Sequence, residues 1–232
     1  AVNTFGEEAA QKLAALEDRD EELARLNAQL EKLETELLQA GQKLSSQRQK
    51  LIPELTKAVT THLNDIGFAQ SQLDVALNST GNPAEAKSTG LDSVEFQFAP
   101  NPGEPARPLR AIASSGELAR VMLALKTVLA AEDSIPVLIF DEVDANVGGE
   151  TAHAVGERMR QIADQRQVLC ITHLAPVAAA AQTHYVVSKA VIDGRTESNI
   201  QRLNDKDRVD EIARMLGGKV GAARQHAEEL LK

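Results

Sequence analysis

Two adjacent carboxylates, Asp141 and Glu142, follow the apolar run Val137-Leu-Ile-Phe140. The run is short and uninterrupted, as expected for a strand covered on both faces. Its acids fall at the carboxyl end, where open α/β sheets place their ligands. One carboxylate there can hold Mg²⁺ directly or through water, while the next, pointing elsewhere, orients an attacking water. The plainer alternative is a solvated strand end that carries two acids. A second apolar run, Val168-Leu-Cys-Ile171, ends in Thr172-His173-Leu174. An imidazole near the same sheet edge can hydrogen-bond a γ-phosphate or the attacking water; seen alone, His173 reads more simply as a core or surface histidine. Cys170 sits inside this second strand and suits packing better than nucleophilic attack. Upstream, Ile112-Ala-Ser-Ser-Gly-Glu-Leu-Ala-Arg120 puts Ser114, Ser115 and Gly116 immediately before a helix. Free amides and the positive helix end attract phosphate at such a place, although a Ser N-cap with Glu117 in the first turn explains the same residues. These 232 residues contain no G-x-x-x-x-G-K-[ST] loop, whose amides and Lys normally cradle the phosphates. The chemistry is therefore that of half a nucleotide-hydrolysing site.

The elements that position these residues follow from periodicity. Leucines recur every seventh residue at 16, 23, 30, 37, 44 and 51, and Leu26, Leu33 and Ala40 fall three residues after members of that set. This is an a/d seam, with Glu, Lys, Arg and Gln elsewhere. An amphipathic helix lying on a globular core is the alternative, but so narrow and long a stripe suits one partner helix better. Lys12 and Arg19 weaken the seam near its start. Pro53 is expected to interrupt the helix, because it lacks an amide hydrogen and clashes with the preceding turn. A second helical stretch is expected over about 54–64, with Gly67 as its stop.

From Phe68 the pattern changes. Ala69, Ser71, Leu73, Val75 and Leu77 alternate with polar residues, as do Val94, Phe96 and Phe98 later, which predicts a hairpin around a loop at 78–90. Three prolines in Asn101-Pro-Gly-Glu-Pro-Ala-Arg-Pro108 exclude a regular element there. A strongly apolar helix follows Ser115. Then come a strand at 137–140, a helix over about 150–163, a strand at 168–172 and an Ala-rich helical turn after Pro176. A closing hairpin at 185–190 and 198–203 and a short helix at 209–216 complete the expected elements.

Composition narrows the class. Aromatic residues are 3% of the chain, charged residues 25%, and Trp is absent, a mix that favours helix. A net charge of −9 argues against a broad basic surface for nucleic acid. The single Cys170 makes no internal disulfide and fits a reducing cytosol. No apolar run approaches the ~20 residues of a membrane helix. The opening Ala1-Val-Asn-Thr-Phe-Gly6 lacks the parts of a signal peptide and does not begin with Met, as an excised or processed segment would.

Taken together, a Ser/Gly turn opening a helix, a strand ending Asp-Glu and a strand ending Thr-His are more specific than any one alone. Their order resembles the C-terminal lobe of an ABC-type ATPase head. Asp-Glu-Val-Asp-Ala, from 141 to 145, resembles the SMC branch rather than the transporters. The wording of 101–109, 112–118, 140–149 and 171–177 resembles the bacterial DNA-repair members of that branch. The close resemblance covers about 101–190, with coiled-coil architecture before it. It implies an α/β fold: a returning coiled-coil helix and neck over 1–66, and the C-terminal lobe of the head over 67–232. It implies that the signature residues Ser114, Ser115, Gly116 and Glu117 contact nucleotide held by an opposing head. It further implies that Asp141 serves Mg²⁺, that Glu142 is the general base and that His173 is the switch histidine.

The implied activity is ATP hydrolysis in DNA double-strand break repair, in which ATP closes a head homodimer and hydrolysis reopens it. The implied cofactors are ATP and Mg²⁺. The implied partners are the N-terminal half of the same protein, a second head and DNA, in the cytoplasm at the nucleoid and away from membranes. Two departures from the pattern stand out: Ser115 replaces the first signature glycine, and Gly148 stands where the general pattern has an Asp. Asp144 and Asn146 are candidates for contacts across a dimer. A non-catalytic coiled-coil adaptor and half of a two-gene ATPase are the alternative readings.

Overall fold

The computed structural model describes residues 2–192, 194–218 and 220–232, with side chains at 12, 13, 16 and from 18 onward except 192. The Ala1 start of the expected coiled coil lies outside the described residues. The chain forms two compact units, one of residues 1–52 and 76–94, the other of residues 53–75 and 95–232.

Helix α1 spans Val2–Asp65. In the first unit its leucine stripe is exposed: Leu16, Leu23, Leu26, Leu30, Leu37 and Leu51 face solvent, and Leu33 keeps 61% of its surface. The local hydrogen bonds of this unit centre on Asp92, whose side chain is fully buried. It accepts from Ser45 Oγ at 2.5 Å, from Arg48 at 2.7 Å and from Ser79 Oγ. Burying a carboxylate is costly unless its lone pairs are filled, and three donors fill them here. The two serine hydroxyls, Ser45 first, hold the Asp92 carboxyl below the usual carboxylate range, with Arg48 adding to the effect.

The second unit holds the main core. Val59 and Leu63, near the end of α1, and Ile66 just after it have no exposed surface. The predicted break at Pro53 does not occur: Pro53 lies inside α1. An interior proline costs about 3 kcal/mol, but burying each of those three side chains returns about 1.5–3 kcal/mol. Tertiary packing thus outweighs the local penalty. The helix stops instead at Gly67, whose φ of +95° is open to glycine. There Phe68 N donates to Leu63 O at 3.0 Å, and both side chains enter the core, the pattern of a Schellman stop.

Strands β1 (Gln72–Ser79), β2 (Asp92–Ala99) and β3 (Arg107–Pro108) form one sheet in that order. The alternation expected from Ala69 begins only at Gln72. The exclusion of regular structure from 101–108 fails at its end, where Phe98 pairs with Arg107 and Gln97 with Pro108. A two-residue edge strand tolerates a proline because it needs few ladder donors.

Helix α2 is Ser115–Val128. Strand β4 (Val137–Phe140) pairs in parallel with β5 (Gln167–Cys170), and α3 (Gly149–Ala163) connects them. The expectation of a strand covered on both faces is not met. Leu138 and Phe140 are buried, but Val137 is exposed and Ile139 is 67% exposed. Leu169, paired with Ile139, and Ile171 beyond it are exposed too.

Beyond β5 come α4 (Ala175–Ala179) and the hairpin β6 (Tyr185–Ile192) with β7 (Arg195–Arg202). Helices α5 (Asp205–Met215) and α6 (Ala222–Leu230) close the chain. The last helix was not foreseen; it packs with α4 and α5 in a second small core that includes Ala175, Ile212 and Ala227. The mixed α/β class with a long N-terminal helix is as the sequence predicts. Among the described residues no helix is long and apolar enough to cross a membrane.

Candidate active site

Parallel pairing sets the site. Phe140 lies opposite Cys170, and Ile171 N donates to Phe140 O at 2.9 Å, so the segments after both strands leave the same sheet edge side by side. After β4 the chain turns sharply. Ala145 N donates to Glu142 O at 3.0 Å, and Glu142 and Asn146 take φ of +56° and +60°. Positive φ is uncommon for residues other than glycine and clusters at functional sites. The turn leaves Asp141 and Glu142 exposed and buries Asp144, which keeps 1% of its surface.

Asp144 joins the two segments. One of its oxygens, Oδ2, accepts from the Thr172 hydroxyl and from His173 N at 3.2 Å, and lies 3.5 Å from His173 Nδ1. A buried carboxylate beside an imidazole nitrogen orients the ring. The His173 side chain itself is 72% exposed and free to meet a ligand.

Helix α2 brings the third segment. Ser114 Oγ accepts from Glu117 N at 3.3 Å, so this serine does cap the helix. Ser115 Oγ donates to Glu142 Oε2. Gly116 is buried against the turn: a Cβ there would lie 2.9 Å from Ala145 Cβ and 3.1 Å from Glu142 O. Close approach of helix and turn therefore requires a residue without a side chain at 116. Arg120, one turn further along α2, is buried and donates to Ala145 O at 2.9 Å. Its guanidinium carbon sits 4.9 Å from the centre of the Phe68 ring, a cation–π contact. Burial pushes the Arg120 pKa down, and the charge of Glu117 partly opposes this.

Comparison with known proteins finds relatives of this chain. No protein-family model matches the chain. DNA repair protein RecN of Deinococcus radiodurans is 44% identical over 231 residues, which are 99% of this chain and 40% of that protein. RecN of Halalkalibacterium halodurans is 35% identical over 234 residues, covering 100% of this chain and 41% of that protein. The chain is RecN-like. It spans about two fifths of the length of the curated relatives it matches. Among solved structures, an Smc head domain with a coiled coil and joint from Pyrococcus yayanosii is 19% identical, with a TM-score of 0.48, over 77% of this chain and 29% of that one.

In this RecN-like chain all three motif segments read from sequence meet at one turn. Ser115 and Gly116 touch residues 142–145, and Thr172 and His173 touch Asp144. Two participants were missed. Asp144, a candidate from sequence for contacts across a dimer, is buried within its own chain as the brace between the strand ends. Arg120 is not among the candidates the sequence suggests, although an arginine six residues after the Ser114 cap in an otherwise apolar stretch is itself a signal of a buried partner. Cys170 is packed as foreseen, and burial, with Asp144 and Asp141 nearby, pushes its thiol up to about 12.

Among the described residues no group of three or more His, Cys, Asp or Glu side chains is arranged to hold a metal ion. Mg²⁺ commonly takes only one or two carboxylates, with water and phosphate oxygens completing its octahedron. The exposed Asp141 fits that limited role.

Proposed function

We propose that this chain is the C-terminal part of a RecN-like, SMC-family ATPase acting in DNA double-strand break repair. ATP held between two heads closes the dimer, and hydrolysis reopens it. The observation that carries this reading is the convergence of three separated segments, 114–117, 141–146 and 172–173, on the turn after β4. The similarity to RecN proteins over nearly the whole chain supports it.

In this reading 1–66 is the returning coiled-coil helix and neck, and 67–232 is the C-terminal lobe of the head. Glu142 accepts a proton from the attacking water. The water oxygen bonds to the γ-phosphorus, the bond to the β–γ bridging oxygen breaks, and ADP leaves with that electron pair. His173, oriented by Asp144, donates a hydrogen bond to the γ-phosphate. Mg²⁺, held by Asp141 with phosphate oxygens and water, would neutralise developing charge. Ser114, Ser115, Gly116 and Glu117 reach nucleotide bound to the facing head. The phosphate loop comes from the N-terminal half of the same protein, and the exposed face of Val137, Ile139, Leu169 and Ile171 suits cover by such a segment. DNA, as the substrate to be repaired, and a place in the cytoplasm at the nucleoid follow from the same family reading. The 232 residues alone are expected neither to bind ATP tightly nor to turn it over.

The test is Glu142→Gln in the full-length protein. Gln keeps the size of the side chain but takes no proton, so ATP binding should persist while turnover falls by about 10²–10⁴-fold, the usual worth of a general base. Near-normal hydrolysis would assign the base to another group. A wild-type full-length protein without ATP turnover would favour the adaptor reading.

A further inference from the structure

Ser115 and Glu142 belong to segments with opposite duties in the proposed head: the first serves nucleotide on the facing subunit, the second nucleotide on its own. Yet within this single chain the Ser115 hydroxyl donates to Glu142 Oε2. Among the described residues, no other group is hydrogen-bonded to that carboxylate. The neighbouring Ser114 is occupied as the helix cap, so the two serines divide the work. Glu142 stands at a φ of +56°, on a turn that Gly116 brings against α2.

We propose that Ser115 is a latch on Glu142, closed in the separated head and opened by head closure; this rests on the ATPase reading above. The reasoning is stoichiometric. A hydroxyl has one proton to donate. It goes either to the Glu142 carboxylate of its own chain or to a phosphate oxygen held by the facing head. While Glu142 accepts it, one lone pair of the base is occupied and the carboxylate is aimed at α2. When the loop engages the facing γ-phosphate, the proton is redirected and Glu142 is released to accept from water. Each head's base is thereby freed by that head's own service to its neighbour, which couples the two composite sites. Glycine, the ordinary residue at this signature position, has no hydroxyl with which to do this. Ser115 is thus a positioning residue whose role lies in the separated state.

The experiment is a double-mutant cycle on the full-length protein. Head dimerisation driven by a non-hydrolysable ATP analogue with Mg²⁺ is measured by sedimentation for the wild type, Ser115→Gly, Glu142→Ala and the double variant. Loss of any contact to the facing head affects both backgrounds alike and cancels in the cycle. The latch remains. Ser115→Gly should favour dimerisation by about two- to tenfold more when Glu142 is present than in the Glu142→Ala background, the span of one net hydrogen bond. Ser115→Thr keeps the hydroxyl and should retain the coupling to Glu142 that Ser115→Gly loses. An equal effect of Ser115→Gly in both backgrounds overturns the latch, as does a Ser115→Thr protein that behaves like Ser115→Gly. If no protein in the set binds the analogue or dimerises with it, the ATPase reading itself fails and the latch falls with it.

Discussion

Along α1, the leucines at 16, 23, 30, 37 and 51 face solvent, whereas Val59 and Leu63 beyond Pro53, and Ile66 just past the helix end, have no exposed surface. The two stretches are written differently. The first repeats every seventh residue in a narrow stripe, the 3.5-residue period of a helix that meets one other helix. The second ends in a Schellman stop that folds Phe68 back onto Leu63 and feeds a broad core. Apolar residues in a helix state that a face is to be covered; the width and period of the face state by what. The narrow stripe of the first unit has the width and period that suit one further helix, and off the stripe the local hydrogen bonds centre on Asp92.

Three experiments on this chain bear on that difference. The largest effect should come from Leu63→Ala. Truncating a fully buried leucine costs about 2–5 kcal/mol, and this one also anchors the helix stop. Urea unfolding of the 232-residue chain measures it, and a loss below about 1 kcal/mol would erase the contrast.

A smaller effect is expected at Asp92, and it depends on pH. Its folded pKa lies below the ordinary value of 3.8. The unfolded chain therefore binds the proton more readily, and folding stability rises with pH across this window. The contribution is fully present above 3.8 and is lost as pH falls through the lower folded value. Asp92→Asn should flatten this acid limb of the first unit while leaving the second unit's core untouched. Circular dichroism between pH 5 and 2, set against the parent chain, decides this; an unchanged acid limb would mean that the cluster does not govern stability there.

The smallest effect belongs to Leu30→Ala. An exposed position away from special features changes stability by no more than about 0.5 kcal/mol, and Ala is the better helix former. Calorimetry of the chain should show almost no shift. A loss comparable with Leu63→Ala would reveal that the stripe is already covered in solution, by a second copy of the chain.

Much of this architecture is legible in the sequence where one local signal decides. β4 is found at Val137–Phe140, as the apolar run between Pro136 and Asp141 implies, and α3 is shifted by one residue from its expected start. The Gly67 stop is legible because only glycine suits its φ. Misreadings occur where tertiary contacts decide. Pro53 carries a strong local breaking signal, overruled by core burial further along the same helix. β3 exists only by pairing with β2. α6 follows Gly221, which offers no capping side chain, and is held by its contacts with α4 and α5.

At the site, residue types and order are legible, and so is the approach of His173 to the sheet edge that carries Asp141 and Glu142; the contact of Ser115 and Gly116 with the same turn is not. Nor is which acid would be buried. Asp141, Glu142 and Asp144 look alike in a string; only the turn with Glu142 at positive φ sends Asp144 inward to Thr172 and His173.

The half-exposed β4 has a consequence for handling the protein. A short uncharged strand rich in Val, Leu, Ile and Phe, with one apolar face in water, is the kind of segment that stacks on copies of itself into fibrils. Pro136 stands before the run, and Asp141 and Glu142 stand after it, in the places that gatekeeper residues occupy around aggregation-prone strands. The two acids therefore answer to colloidal chemistry as well as to the proposed hydrolysis. Removing their charge alters how much chain stays in solution along with what that chain can do, so turnover of such variants has to be referred to the soluble, monodisperse fraction.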